Sequence, residues 1–569
     1  MGFKTDNLEV TGTVKLGSDT LTVSGAELNF VDGVTSAIQT QLNDKAPSAS
    51  PTFSGTVSLP STTSIGNVSA TEIGYVDGVT SAIQTQLDSK ANIATIDGYL
   101  NQGVEWNETA DTYTRLGSLA SFALGSSPGD ANLPIHSRMR RCLVSDDMAT
   151  IKYLDPTDST KLLDGGGAAA LDGSDGQVMV EIPKFYYKYE YDNTGSVVKH
   201  RWRISEVALS GYEVHPAFKK GGTEKDYCYI GAYEAALYDT SASRYGNGLY
   251  LPAHSVVFAS ADKSLTTGLT GGFSLLEAGD KIVISGTTSN NGTFTVATVS
   301  ATKITVDEAI TDETAANTVI TNQRDFTATT GDKLSSVSGK SPMVQLTRAN
   351  ARVIATNRGA KWFQMDFDTV SAIQLLFVIE YGSFYSQSVL GAGISNVNNW
   401  PAYNNYNPIA PSGNSNVIGN ASGNNAGATA AATEKAKYLS YRGIENIYGH
   451  IWGWVDGFSI NSNAAYVSSN PSEFSDDSAT NYTLLGTLGN SNGYARTILK
   501  NKRGFLPTSV SGGASNTGLT DYYYQNSGWR VAFIGGAAYL GAADGLWFWA
   551  LDDASGGADR RIGARLACF

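Results

Sequence analysis

The chain of 569 residues reads as an α+β protein that is mostly β, and three observations carry that reading. Charged residues are 16% of the total and Gly alone numbers 61, a composition of turn-rich β structure rather than of a helical enzyme. Short runs alternating apolar and polar residues recur from 101 to the end, while only two stretches show the spacing of long helices. An internal repeat fills the first part of the chain.

The repeat VDGVTSAIQTQL stands at Val31–Leu42 and again, letter for letter, at Val76–Leu87. Val31, Val34, Ile38 and Leu42 form one narrow helical stripe, and Val76, Val79, Ile83 and Leu87 form its twin. Between them lie short β-like pieces, Val10–Val14 and Phe53–Val57, punctuated by Pro47, Pro51 and Pro60. A stripe so narrow cannot bury itself alone, so residues 1–100 are expected to pack against copies of themselves.

Residues 101–250 read as a β-rich domain, with Val178–Tyr191 expected as one long antiparallel strand solvated on one side. Residues 251–322 change composition to Thr, Ser, Val and Ile with few aromatics. Three strands are expected there, at Asp280–Gly286, Gly292–Val296 and Lys303–Val306, in a small all-β domain inserted into a loop of its host. The aromatic-rich style resumes over 323–569. That segment opens with the two expected helices, Leu346–Ile354 and one starting near Asp368 that Gly382 ends. An Asn/Gly-rich stretch over 396–433 is too long for an ordinary connection.

The most aromatic segment runs from Gly504 to the last residue, which marks the end of the chain as core rather than as a frayed terminus. In Leu546–Asp552 the period of two separates Trp547, Trp549 and Leu551 from Phe548, Ala550 and Asp552. The first set reads as scaffold and the second as exposed surface.

Composition also excludes classes of function. A net charge of −13 opposes a sequence-independent grip on nucleic acid, which needs clustered Lys and Arg. No apolar run approaches the ~20 residues of a membrane helix, and MGFKTDNLEV has neither the basic nor the apolar region of a signal peptide. Cys142, Cys228 and Cys568 are odd in number and far apart, so buried free thiols are expected. His136, His200 and His215 have no second ligand at metal-site spacing and read as structural.

Two resemblances add to this. The words DGVTSAIQTQLDSKA and SPTFSGTVSLP resemble shaft repeats of trimeric phage tail fibres. Gly528-Trp529-Arg530-Val531, Gly535-Gly536, Leu551, Ala554-Ser555 and Ile562–Leu566 resemble the terminal segment of retroelement-diversified phage adhesins of the major tropism determinant type, whose terminal domain has a C-type-lectin-like fold. Tyr441–Asn446 and Ile451–Gly457 look like scaffold strands of that group. In such adhesins, adenine-directed mutagenesis varies surface codons and spares the scaffold.

The resemblance implies a homotrimeric tail-fibre adhesin of the virion, assembled in the host cytoplasm, with 323–569 as the lectin-like domain and 533–569 as its variable segment. It implies receptor-binding positions at Ala537, Tyr539, Leu540, Asp544, Phe548, Ala550, Asp552, Asp553, Asp559, Arg560 and Arg561. The expected partners are a host cell-surface protein or glycan and, through the N-terminus, other tail or baseplate proteins; neither nucleic acid nor membrane insertion is expected. No cofactor is expected, with a structural divalent ion such as calcium left open.

Two other readings are a virion-associated depolymerase and a purely structural tail or baseplate component. A depolymerase needs two facing carboxylates, whereas the adjacent Asp552 and Asp553 would point to opposite faces of a strand. The chain also lacks a Gly-x-Ser-x-Gly elbow and a His-x-x-x-His motif, so no catalysis is expected.

Overall fold

A computed structural model of the chain describes residues 101–149, 151–163, 165, 167–246, 250–274, 276–322, 331–396, 411–429 and 437–569, with 15–20 and isolated positions before residue 101. Met1–Lys90 and Ala91–Phe569 form separate compact units. In the first, Lys15–Leu16 pairs with Asp19–Thr20 as a minimal hairpin, and the two expected helical repeats lie outside the described residues apart from isolated positions.

The fold is α+β and mostly β, with strand outweighing helix 39% to 12% among the described residues. Three sheets organise the second unit. One has five strands in the order Glu213–Val214, Tyr186–Asp192, Lys199–Ser205, Asn101–Asn107, Thr112–Gly117. Another has six, in the order Trp362–Gln364, Leu566–Cys568, Tyr227–Gly231, Gln177–Pro183, Arg140–Val144, Ile151–Tyr153. The third runs Thr483–Thr487, Ala464–Val467, Trp452–Asn461, Trp529–Gly535, Gly545–Leu551, Tyr522–Gln525, Gly493–Tyr494, and Ile562–Gly563 joins it beside Trp452–Asn461.

The six-stranded sheet takes strands from both sides of the inserted segment, so 101–250 and 323–569 share a core instead of forming two bodies. The last strand, Leu566–Cys568, is buried between Tyr227–Gly231 and Trp362–Gln364, which is why the terminus does not fray. Cys142, Cys228 and Cys568 are free and buried; burial pushes all three thiols up, Cys228 to about 12.

The single long strand expected over Val178–Tyr191 is instead two strands in two sheets, Gln177–Pro183 and Tyr186–Asp192. Pro183 has no N–H for a continuing ladder, and the chain leaves its sheet there. The first of the two is buried on both faces, not solvated on one.

Between Tyr250 and Asn322 six strands, not three, close a barrel around its own core of Val256, Phe258, Leu265, Ile282, Ile304 and Ile320. The long strands Tyr250–Ala259 and Glu313–Asn322 pair along the seam and, with Ser264–Thr267, supply the three strands that the expectation lacked.

Two helices hold the large sheets together. α1, Arg348–Thr356, is capped by the Thr347 hydroxyl, which accepts from Asn350 N. α2, Phe367–Tyr381, is capped by Asp366 and ended by left-handed Gly382 at φ 62°. Every residue of α2 is buried, as befits a helix apolar on all sides, and its polar members find partners: Gln374 donates to Leu546 O at 2.8 Å, and Glu380 accepts from Arg442.

Candidate functional site

The terminal strand Gly545–Leu551 has the two faces that its period of two prescribes, and each enters a different core. Trp547, Trp549 and Leu551 join the core that contains α2. Phe548 and Ala550 join the core that contains Ala351 and Ile354 of α1. The scaffold face is as expected; the other is not open surface.

Phe548 is 0% exposed and Ala550 1%, so neither is available to a receptor. The cause lies across the sheet. Ala550 is opposite Tyr524 on one side and Phe533 on the other, and its small side chain sits between their rings. Phe548 packs on the Tyr524 ring at 5.8 Å between centroids, and Phe533 packs on Trp454 at 5.4 Å.

Ala537 and Asp544 are buried as well, because they tie down the turn that leaves Trp529–Gly535. Asp544 Oδ1 accepts from Ala537 N at 2.9 Å, and Gly536, at φ 82°, leaves the space that this carboxylate fills. Gln387 Nε2 donates to Gly541 O and Asp544 O, pinning the turn from below. Burial first, then the neighbouring Asp521, pushes the Asp544 carboxyl well above the usual range. Asp544 is therefore an anchor of the turn, not a contact residue.

Seven of the eleven expected positions stay partly exposed: Tyr539, Leu540, Asp552, Asp553, Asp559, Arg560 and Arg561. Four of them, with Trp452, form one interlocked group. Arg561 makes two parallel hydrogen bonds to Asp559, Nε to Oδ1 at 2.7 Å and Nη2 to Oδ2 at 2.8 Å. Its Nη1 donates to the Tyr539 hydroxyl at 2.8 Å, and its guanidinium lies 4.9 Å from the centre of the Trp452 ring. Leu540 packs against the same core as Tyr539. Tyr539 is thus held by the scaffold rather than standing free above it.

Beside this group runs a row of tyrosines that the sequence reading passed over. Tyr494, Tyr522 and Tyr524 are all half-exposed, with ring centroids 5.3 Å and 4.6 Å apart in succession. The signal was present in Asp521–Gln525: along that strand Tyr523 enters the α2 core, so Tyr522 and Tyr524 lie on the other face.

The rim is acidic and basic at once. Burial raises the Asp552 and Asp553 carboxyls, Asp553 adding to the shift of Asp552 and Asp559 to that of Asp553, while Arg530 opposes both. Asp552 Oδ1 is buried without a hydrogen-bond partner among the described residues. The arrangement sets half-exposed aromatic rings beside charges of both signs. No group of His, Cys, Asp and Glu among the described residues could hold a metal ion, and no helix there is long and apolar enough to cross a membrane.

The expected structural histidines are enclosed. His136 meets Leu376 O at 2.8 Å and His200 meets the Tyr189 hydroxyl at 2.8 Å, while burial drives the His215 pKa down to about 3.

No protein family and no curated protein matches the chain. Solved structures similar to it include a Major Tropism Determinant M1 variant, with a TM-score of 0.20 and 11% identity over 81% of this chain and 93% of that one. A U1 variant of the same protein gives 0.18 and 12% over 75% and 93%. TM-scores this low do not establish a shared fold.

Proposed function

We propose that the chain is a bacteriophage tail-fibre adhesin, carried on the virion, that recognises the bacterial surface through the aromatic platform of Tyr494, Tyr522, Tyr524 and Tyr539 and its charged rim. The observation that carries the reading is that half-exposed Tyr522 and Tyr524 stand on a strand paired with Gly545–Leu551, which is buried on both faces, with Tyr494 on the next strand and Tyr539 in the turn after Trp529–Gly535. Tyrosines give large contact area at low entropic cost, and a rigid base means that little freedom is lost on binding. The shaft-like repeats and the adhesin-like wording of the terminal segment support the same reading from the sequence.

Variants Tyr522→Ala and Asp553→Ala test it. Loss of a central interface tyrosine costs about 2 kcal/mol, roughly thirtyfold in affinity, so adsorption of particles carrying Tyr522→Ala to host cells should fall by that order. Asp553→Ala should alter adsorption while the melting temperature holds, since a partly exposed substitution typically changes stability by about 0.5 kcal/mol or less. Normal adsorption by both variants would remove the platform from host recognition.

The reading includes a homotrimer joined through residues 1–100, because two helical stripes of identical sequence call for partners outside their own segment. Native mass measurement of the full chain should return three copies per particle; a stable monomer would refute the trimer without touching the platform.

A further inference from the structure

Away from the platform, at the root of the inserted barrel, the edge strand Ile151–Tyr153 faces the three-stranded sheet Arg244–Gly246, Ala236–Asp239, Lys333–Ser335 across a cleft of about 710 Å³. That volume falls within the range of small-ligand sites, ~300–1,000 Å³. We propose that this cleft is a second binding site and that its ligand is an uncharged oligosaccharide.

Charge decides the class. The lining carries three cations, Lys152, Lys333 and Arg358, and three carboxylates, Asp146, Asp172 and Asp175. Lys152 pairs with Asp175 at 3.0 Å; Lys333 pairs with Asp146 at 3.0 Å, and Arg358 reaches the other oxygen of the same Asp146. Asp172 Oδ1 accepts from both the backbone N and the hydroxyl of Ser174, at 3.0 and 2.6 Å. The three positive and three negative charges of the lining cancel, so the cleft as a whole offers neither a phosphate or sulfate nor an amine a net attraction. A hydroxyl suits such a wall because it both donates and accepts, and so can bridge the lysine and the aspartate of one pair.

The apolar component is Tyr238 with Tyr245. Both are half-exposed, and their rings meet edge to face at 5.0 Å. A sugar ring, with C–H groups on its faces and hydroxyls at its edge, matches tyrosine faces set beside paired charges. The site is built rather than accidental: a side chain at Gly173, φ 94°, would collide with the Tyr245 hydroxyl, so this glycine lets the ring lie where it does. Arg358 is likewise fixed, donating to Leu334 O at 2.9 Å and to the Ser335 hydroxyl.

The test titrates the full chain with uncharged trisaccharides of glucose and of N-acetylglucosamine, and with a sialylated and a sulfated sugar, by saturation-transfer NMR and calorimetry. At least one uncharged trisaccharide should bind in preference to the charged ones, and Tyr238→Ala should weaken it by about tenfold. Lys152→Met, on a half-exposed side chain, gives a second variant in case the first unfolds and should also weaken the sugar. Tyr522→Ala on the platform should leave it unchanged. Absence of binding by the uncharged sugars, tighter binding of the charged ones, or affinity unmoved by both cleft variants would overturn the proposal.

Discussion

Phe548→Ala is expected to destabilise the protein by about 3–5 kcal/mol, as much as the same truncation of Trp547. Strand periodicity alone would make Phe548 a surface residue, whose loss typically costs about 0.5 kcal/mol or less. The burial of Phe548 against Tyr524, with Ala550 wedged between Tyr524 and Phe533, puts it in a core instead. Trp547 is the reference on the opposite face, where its ring meets Phe384 at 4.7 Å and Phe505 at 4.8 Å. Denaturant midpoints of the two alanine variants, with unchanged slopes, measure both costs. A loss below about 1 kcal/mol for Phe548→Ala, with the full loss for Trp547→Ala, would mean that the second face is open after all.

Arg348→Met should cost a similar amount, about 3–5 kcal/mol. Arg348 is the first residue of α1 and is 0% exposed. It serves an irregular stretch of Trp452–Asn461, where pairing with Trp529–Gly535 skips from Val455 to Ser459. Its guanidinium donates to the carbonyls of Val455 (3.0 Å), Phe458 and Ser475 (2.9 Å), to the Ser459 hydroxyl (2.9 Å) and to Asp476 (2.7 Å). Asp456 and Asp476 keep Arg352 in the variant and Ser475 O keeps the Tyr482 hydroxyl, so the loss falls mainly on the buried carbonyls of Val455 and Phe458, each worth about 1–3 kcal/mol. Arg348→Lys should recover little, because one ammonium cannot reproduce a planar fork of five donors. Thermal and denaturant unfolding of the two variants would check this; a cost under about 1 kcal/mol for Arg348→Met would show that the bulge is satisfied without it.

What the sequence determined by itself was local. The mostly β character follows from composition and alternation, the two helices from the spacing of apolar residues over Leu346–Ile354 and from near Asp368, and the end of α2 from Gly382. A switch in composition marked the segment that closes into the barrel, and the odd, scattered cysteines are free and buried. Each of these depends on neighbours within a few residues or on bulk composition, which a linear reading can see.

Exposure was decided only in three dimensions. A period of two tells which side chains share a face but not what lies over that face. Phe548 and Ala550 are covered by residues from Trp529–Gly535 and Tyr522–Gln525 and share their core with α1, while Asp544 turned inward to hold the loop after Gly536. The same pairing of distant strands set Tyr494 beside Tyr522 and Tyr524, and brought Lys152, Tyr238 and Arg358 to one cleft. The reason is physical: burial and ion pairing are properties of the space between elements, and that space exists only once strands far apart in sequence have paired.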